Sequence, residues 1–303
     1  MISKAAVSIV IVNYKVKDLL FLCLKSVYSY TTVQTEIWVV DNDSKDETEE
    51  MLKKEFPSVN FIGNNFNAGF PAANNQALKR CSGDYIFLLN PDTEFIQDCI
   101  PDFIAFSKGR NDNCIIAPQL LNTDGSVQFS IQPFISFWEI LLEVFYLHNF
   151  LKRFKSYHRK GIHEPLHIEA ASGAALFFHR SVMEKTGMLD EELFWTEDME
   201  FCYRASKNNI ERFYLPGVRI KHHVGQSGKK NQGVMISNQV LSKIRYFYKT
   251  KGDFTGAMVA FLRLIQVVSR ILMLYPMSVV IPHLRPRAKG YVYTLKRLIR
   301  GDF

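Results

Sequence analysis

The sequence predicts an α/β fold, a mostly parallel central sheet flanked by helices and followed by a C-terminal helical extension. Three observations predict it. Short β-branched or aromatic runs alternate with apolar-periodic segments along the N-terminal part of the chain, the pattern of strands that pair in parallel and return through helices. These runs stop abruptly at Asn or Asp, as in VIVNY, WVVDND and YIFLLNPD. After Asn231 the strand signals cease and long apolar segments with scattered basic residues take over.

Val7 to Val12 is a continuous β-branched run closed by Asn13 and Tyr14, and Leu19 to Val27 follows with helical spacing. Glu36 to Val40 repeats the strand signal, Asp41-Asn42-Asp43-Ser44 is a polar turn, and Asp46 to Phe56 reads as an amphipathic helix with acids in its first turn, where the helix dipole favours them. Val59 to Ile62 is a third strand, the NNFNAGF loop follows, and Ala72 to Cys81 leads as a helix into the strand that starts at Tyr85. This strand ends in Asn90-Pro91-Asp92, which places a carboxylate at its C-terminal tip. Ligands of open α/β sheets bind along that edge. An ordinary strand-ending turn accounts for the same residues, since N-P and P-D are common turn dipeptides.

Further along, Ile115 to Leu121 reads as a strand and Asn122-Thr123-Asp124-Gly125 as a turn. Phe134 to Phe154 is aromatic and aliphatic and runs into Lys152, Arg153, Lys155, Arg159 and Lys160. It fits either a helix buried against the sheet or one at a membrane interface. Ile168 to His179 passes from small residues into a strand. Thr196 is a candidate N-cap, which places Glu197 and Asp198 in a first helical turn. Leu215-Pro216-Gly217 reads as a turn, Val218 to Lys221 as a short strand, and His222-His223 opens a polar loop. Helices are expected from Val234 to Tyr248 and from Gly256 to Ile281. Within the second, the longest uncharged run, Ile271 to Leu284, falls short of the about 20 residues needed to span a bilayer.

Five scattered cysteines without a CxxC pair indicate neither a disulfide framework nor a cysteine zinc site. The N-terminus, MISKAAVSIVIVNY, lacks the length and cleavage site of a signal peptide and reads as a first strand. The net charge of +7 is unevenly placed: residues 1–220 carry −6 and residues 221–303 carry +13. Such a tail meets something anionic. Its charges interleave with aliphatic residues rather than with groove-reading motifs, so a lipid surface is expected and nucleic acid is not. A phosphate loop rich in glycine and lysine is missing after the first strand, where NYKVKD stands, which argues against a nucleotidyltransferase.

Taken in order, VSIVIVNY (7–14), WVVDNDS (38–44), NFNAGFPAANN (65–75), GDYIFLLNPDT (83–93), SGAALFFHRSV (172–182), GMLDEELFWTEDMEFCYR (187–204) and LPGVRIKHHVGQS (215–227) resemble the family 2 glycosyltransferases of GT-A fold, most closely the rhamnosyltransferase-like members. The resemblance implies a Rossmann-like GT-A domain over 1–231, with a nucleotide-binding half (1–93) and an acceptor-binding half (94–231), and a basic amphipathic helical tail over 232–303. It implies that Tyr14, Asp41 and Asn42 face the base and ribose of a nucleotide-sugar, with Asn13, Asp43, Asn67, Gly69, Phe70, Asn74, Asn90 and Gly173 completing the donor site. It implies that Asp92 and His222 hold Mg²⁺ or Mn²⁺, with His223 the alternative to His222, and that Asp198 is the catalytic base beside Glu197. Many relatives carry Asp-x-Asp where this chain has NPD, so Asn90 replaces one metal carboxylate by an amide.

The chemistry asks for these residue types. A departing diphosphate gathers negative charge, which a cation stabilises by several kcal/mol, while the attacking acceptor hydroxyl must lose a proton to a general base. A single displacement inverts the anomeric centre. The implied reaction is transfer of a sugar, with rhamnose from dTDP-rhamnose the leading candidate, to a saccharide or lipid-linked acceptor. Galactofuranosyl or N-acetylhexosaminyl donors, or a degenerate module that binds saccharide without catalysis, are the alternatives. The tail implies a cytoplasmic protein held peripherally at the inner face of the membrane, each basic residue adding roughly 1 kcal/mol near anionic lipid.

Overall fold

The computed structural model describes residues 6–145, 147, 162–223 and 232–303. The basic flank from Lys152 to Lys160 and the loop from Val224 to Lys230 lie outside the described residues. The first of two compact units, residues 1–133, 159–191 and 197–227, is built on the expected parallel sheet. Strands β1 (Val7–Asn13), β2 (Thr35–Asn42), β3 (Asn60–Asn64) and β4 (Tyr85–Leu89) alternate with helices α1 (Lys17–Tyr30), α2 (Thr48–Glu55) and α3 (Phe70–Leu78). Parallel register pairs Asn13 with Asp41, Asn42 with Asn64 and Ile11 with Leu89. The polar residues that end these strands therefore share one sheet edge.

β1 and β4 are buried at every position, which explains their continuous rather than alternating apolar runs. Beyond β4 come β5 (Thr93–Phe95), α4 (Ile100–Lys108), β6 (Cys114–Leu121), β7 (Ile131–Gln132), β8 (Leu166–His167), β9 (Ala170–Ala171), β10 (Ala175–His179), α6 (Arg180–Thr186), α7 (Glu197–Lys207) and β11 (Glu211–His222). Among the described residues the main sheet has the order β3-β2-β1-β4-β10-β6-β11-β5, with β8 paired to β11, and β7 pairs with β9 apart from it. β10 enters antiparallel between β4 and β6. Phe103 stacks on Phe177 at 5.0 Å, and Phe87 meets Phe177 edge-on at 5.9 Å, joining α4 to the centre of the sheet.

Gly83 makes the entry to β4 possible, because a Cβ there would lie 2.6 Å from the Ser8 backbone nitrogen. Gly83→Ala is expected to cost about 1–3 kcal/mol, seen as a lower urea midpoint. An unchanged midpoint would mean that the strand edge yields.

One expectation fails here. Leu215-Pro216-Gly217 does not reverse the chain but lies inside β11, where the register with β6 shifts between Leu215 and Arg219. A bulge lets a strand carry a proline without losing its partner. The hydroxyl of Thr196, the residue before α7, lies 2.7 Å from that of Ser242.

The second unit comprises 134–158, 192–196 and 228–303, so it draws in two segments that precede the expected boundary at 231. It contains α5 (Phe137–Val144), α8 (Gln232–Lys251), α9 (Asp253–Val280), a 3-10 turn (Pro282–Leu284) and α10 (Arg285–Arg300). Of the two readings of Phe134 to Phe154, the described part forms a short helix with a Ser136–Glu139 capping box. It buries Ile140 and Val144 while Trp138 stays 68% exposed. A Cβ on Gly290 would stand 2.9 Å from Gly233 Cα, so α8 and α10 approach backbone to backbone.

Helix α9 falls on the expected Gly256 to Ile281 segment and runs through Arg263, Arg270 and Pro276. By length and composition alone it is long enough to cross a membrane, with mean hydropathy 1.9 over its most apolar window. Its polar residues do not form an outer face: Arg263 and Gln266 are buried, while Phe254, Phe261, Leu272 and Val279 are exposed. The helix is inside out because its inward charge has a partner in Glu143, whereas among the described residues no helix covers its apolar side.

Candidate active site

At the tip of β1, Asn13 is fully buried and its side-chain amide donates to Asp41 Oδ1 (2.7 Å), Thr48 Oγ1 (3.0 Å) and Ser44 Oγ (3.1 Å). Its carbonyl oxygen has no hydrogen-bond partner among the described residues. Asp41 accepts a second bond, from the Ser44 backbone N–H, at 2.9 Å. Asn13 thus locks the loop after β2 through its amide nitrogen. Tyr14 is half-buried beside it with Lys15 Nζ 5.0 Å over its ring, and Asp43, at φ 63°, pairs loosely with Lys45.

Asn42 reaches the next element by donating to the Gly69 carbonyl at 3.2 Å, and its own oxygen accepts from Asn64 at 2.9 Å. Asn67 Oδ1 accepts the Gly69 N–H at 2.9 Å, and Gly69 takes φ 87°, a conformation that glycine adopts without strain. This turn delivers Phe70 to the start of α3. Asn74 Nδ2 donates to the Phe70 carbonyl at 2.8 Å within α3. Asn75, which the sequence did not single out, pins the loop before α7 by donating to the Leu189 carbonyl (2.8 Å) and to Glu191 Oε1 (2.9 Å).

Gly173, just before β10, connects this region to Asp198. Its N–H donates to Asp198 Oδ2 at 2.7 Å, and a Cβ on it would meet Asp198 Cβ at 3.4 Å and Phe70 Cε1 at 3.7 Å. The other carboxylate oxygen accepts the Met199 N–H at 2.7 Å. Burial pushes the Asp198 carboxyl up from 3.8 to about 6, against the pull of these backbone bonds. One residue on, the Ala174 carbonyl accepts the Asn90 N–H at 2.9 Å, which ties Asp198 to the end of β4. Glu197 sits half-buried one residue before Asp198 in the first turn of α7.

Asp92 follows Asn90 and is 6% exposed. Because His222 pairs with Thr93 in the antiparallel β11–β5 ladder, its imidazole comes alongside, with Nε2 3.2 Å from Asp92 Oδ1. Its Nδ1 lies 2.7 Å from Gln128 Oε1. Gln128 Nε2 donates to Asn122 Oδ1 and to the His222 carbonyl, which fixes Oε1 as the acceptor and so places the proton on Nδ1. With Nδ1 engaged by Gln128, Nε2 is the ring nitrogen that faces the carboxylate oxygen. A carboxylate and imidazole donor set of this kind suits Mg²⁺ or Mn²⁺.

Among the described residues no three His, Cys, Asp or Glu side chains gather into a metal cage. Asp92 and His222 could supply two ligands to a cation, whose other positions would fall to substrate oxygens and water. His223 is committed elsewhere: its ring pairs with Glu94 and its N–H donates to the Asp92 carbonyl at 2.8 Å. No side-chain hydrogen bond is formed by the half-buried Asn90 amide among the described residues. Gln128 was missed because an outer-layer amide has no sequence signature. Gln128→Ala is expected to weaken Mn²⁺ binding about 10–100-fold in a calorimetric titration, and equal affinity would remove it as the residue that orients His222.

Asp92 with His222, Asp198 with Gly173, and the Asp41–Asn42 turn thus line one sheet edge, joined by hydrogen-bonded steps. A low-salt glycan biosynthesis hexosyltransferase, Agl10, of Haloferax volcanii is 28% identical over 209 residues, covering 67% of this chain and 62% of that one. The UDP-Glc:alpha-D-GlcNAc-diphosphoundecaprenol beta-1,3-glucosyltransferase WfaP of Escherichia coli is 35% identical over 101 residues, 33% of this chain and 40% of the relative. The chain therefore spans less than two thirds of either relative. The mannosyltransferase PcManGT of Pyrobaculum calidifontis, solved with GDP-Man and Mn²⁺, superposes with a TM-score of 0.56 at 12% identity over 99% of this chain and 87% of that one. GalNAc-T7, solved with UDP, GalNAc and Mn²⁺, gives 0.58 at 18% identity over 82% and 50%. At these identities the likeness shows a GT-A-like fold. The Glycosyl transferase family 2 pattern matches residues 8–186, more than half of the sequence, and the chain belongs to that family.

Proposed function

We propose that this protein is an inverting glycosyltransferase that moves a sugar, rhamnose from dTDP-rhamnose as the leading donor, to a hydroxyl of a lipid-linked or surface-polysaccharide acceptor. The observation that carries the reading is the shared sheet edge on which Asp92–His222 and Asp198–Gly173 stand as neighbouring pairs. Asp41, Asn42 and Tyr14 form the floor for base and ribose. Asp92 and His222 would hold Mg²⁺ or Mn²⁺, which when bound offsets the charge on the departing diphosphate.

Asp198 takes the proton of the acceptor hydroxyl. Its two oxygens are each held by one backbone N–H, so the carboxylate does not have to reorient during transfer. A carboxyl lifted to about 6 is ionised at neutral pH yet more basic than an ordinary aspartate, which favours a general base. The lipid-linked acceptor is supported by the name of the E. coli relative, and rhamnose by the sequence resemblance.

The outward apolar side of α9, with Phe261 63% and Leu272 72% exposed, and the exposed basic residues Arg285, Arg287, Lys289, Lys296 and Arg300 of α10 support peripheral attachment to an anionic membrane. We place the protein on the cytoplasmic face. In flotation with phosphatidylglycerol vesicles, the double change Phe261→Glu and Leu272→Glu is expected to release the full chain, and undiminished flotation would remove α9 as the anchor.

Donor hydrolysis measured over a panel of dTDP-rhamnose, UDP-galactofuranose, UDP-N-acetylhexosamines and UDP-glucose with Mg²⁺ or Mn²⁺ tests the assignment. Turnover of dTDP-rhamnose above the others is expected. Turnover of another donor corrects the sugar alone, and inactivity without nucleotide binding would leave a saccharide-binding module.

A further inference from the structure

The helical unit encloses a second polar feature, distant in sequence from the motifs of the sheet edge. A cavity of about 330 Å³ opens between α5, α8, α9 and α10, lined among others by Glu143, Lys243, Arg263, Gln266, Arg287 and Tyr291. That is the lower end of ligand-sized pockets, about 300–1,000 Å³.

Its charges do not balance. Lys243 Nζ lies 2.8 Å from Glu143 Oε1 and 3.1 Å from Oε2, and Arg263 Nη2 lies 2.6 Å from Oε2. One carboxylate thus serves two cations. Burial alone would raise the Glu143 carboxyl, yet Arg263 and Lys243 pull it down to about 2, so it stays ionised. Arg287, exposed beside them, has no carboxylate partner among the described residues. Three cations against one anion leave an excess of two positive charges.

Removing cations from water costs several kcal/mol each unless partners replace the solvent, and here part of that replacement is missing. Arg263 is 2% exposed, and although its Nη1 donates to Gln266 Oε1 at 2.6 Å and its Nη2 pairs with Glu143, its Nε has no hydrogen-bond acceptor among the described residues. If the cluster served only to fasten α5 to α8 and α9, one cation for Glu143 would suffice and no cavity would be needed. Guanidinium forks match the paired oxygens of phosphate groups, the Tyr291 hydroxyl is a further donor, and a doubly charged anion would cancel the excess.

We propose that this cavity is a binding site for a diphosphate group. Two sources share that chemistry: free diphosphate, and the headgroup of a diphosphate-linked lipid, the second resting on the acceptor class proposed above.

The test uses the full chain in EDTA, which silences cation-dependent nucleotide binding, with inorganic diphosphate titrated calorimetrically. One saturable site is expected. Arg287→Gln should weaken it about tenfold or more, the worth of one charge-assisted hydrogen bond. Asp92→Asn should leave it unchanged. Arg287 is exposed, so its replacement should fold, and an unshifted melting curve checks this. Absence of saturation in the wild-type protein, equal affinity in Arg287→Gln, or loss in Asp92→Asn would each overturn the proposal, and none of them depends on sugar transfer.

Vesicles carrying a long-chain isoprenoid diphosphate, compared with phosphatidylglycerol vesicles of equal charge, separate the sources. Preferential flotation on the former that is lost in Arg287→Gln assigns the lipid headgroup. Equal flotation on both, with calorimetric binding retained, assigns the free anion.

Discussion

Asp198→Asn is expected to lower sugar transfer by about 10²–10⁴-fold, the usual worth of a positioned general base, with donor affinity nearly unchanged. The amide keeps the volume of the carboxylate but cannot take a proton from the acceptor. It can also accept only one of the two N–H groups, from Gly173 and Met199, that now hold the side chain. A large loss of donor affinity would assign Asp198 to the nucleotide rather than to the acceptor.

The pH profile supplies an independent check. With its carboxyl lifted to about 6 by burial, the base is protonated and idle below that pH. In the wild type kcat/KM should therefore climb as pH rises through about 6 and level off above it, and the limb should vanish in the variant. The stability sign runs opposite to activity. A folded-state value above the ordinary 3.8 means that the fold favours the protonated form. The stabilisation is complete below the ordinary value and is lost as pH rises through about 6. The ionised base needed for transfer is thus the less stable form of the folded protein.

Asp92→Asn is expected to reduce transfer by about 10²–10³-fold, comparable to losing one preorganised stabiliser of developing charge, and to raise the Mn²⁺ concentration needed for half-maximal activity. The change removes the anionic oxygen that faces His222 Nε2 at 3.2 Å without changing side-chain volume, so the melting temperature should move little. Full transfer by the variant, or by the wild-type protein in EDTA, would sink the assignment of Asp92 as a cation ligand.

Much of the site was legible in the chain because parallel pairing turns local signals into spatial ones. VIVN, WVVDN and YIFLL each end a buried strand, and register carries Asn13, Asp41, Asn42 and Asn64 to one edge. Burial on both faces demands continuous apolar residues, and the first polar residue after such a run must lie at its end. Gly173 and Asp198 were legible as members of a motif, although the hydrogen bond between them was not.

Roles that depend on where an amide or an imidazole points could not be read this way. That the Asn13 amide nitrogen braces a loop and the Asn74 amide nitrogen its own helix is visible only in the folded chain. His222 and His223 are adjacent and alike. The antiparallel β11–β5 ladder sends one toward Asp92 and the other toward Glu94. Gln128 was invisible because it acts across 94 residues of chain.

The sequence by itself determined the order of strands and helices, the shared edge of the polar strand ends and the shift in charge after residue 220, because each depends on residue type and spacing along the chain. The tertiary structure alone decided which histidine faces Asp92, that β11 bulges at Pro216 instead of turning, and that α9 directs Arg263 inward and its aromatics outward. Those outcomes follow from which partner lies across the gap, and a partner's position is a property of the folded chain.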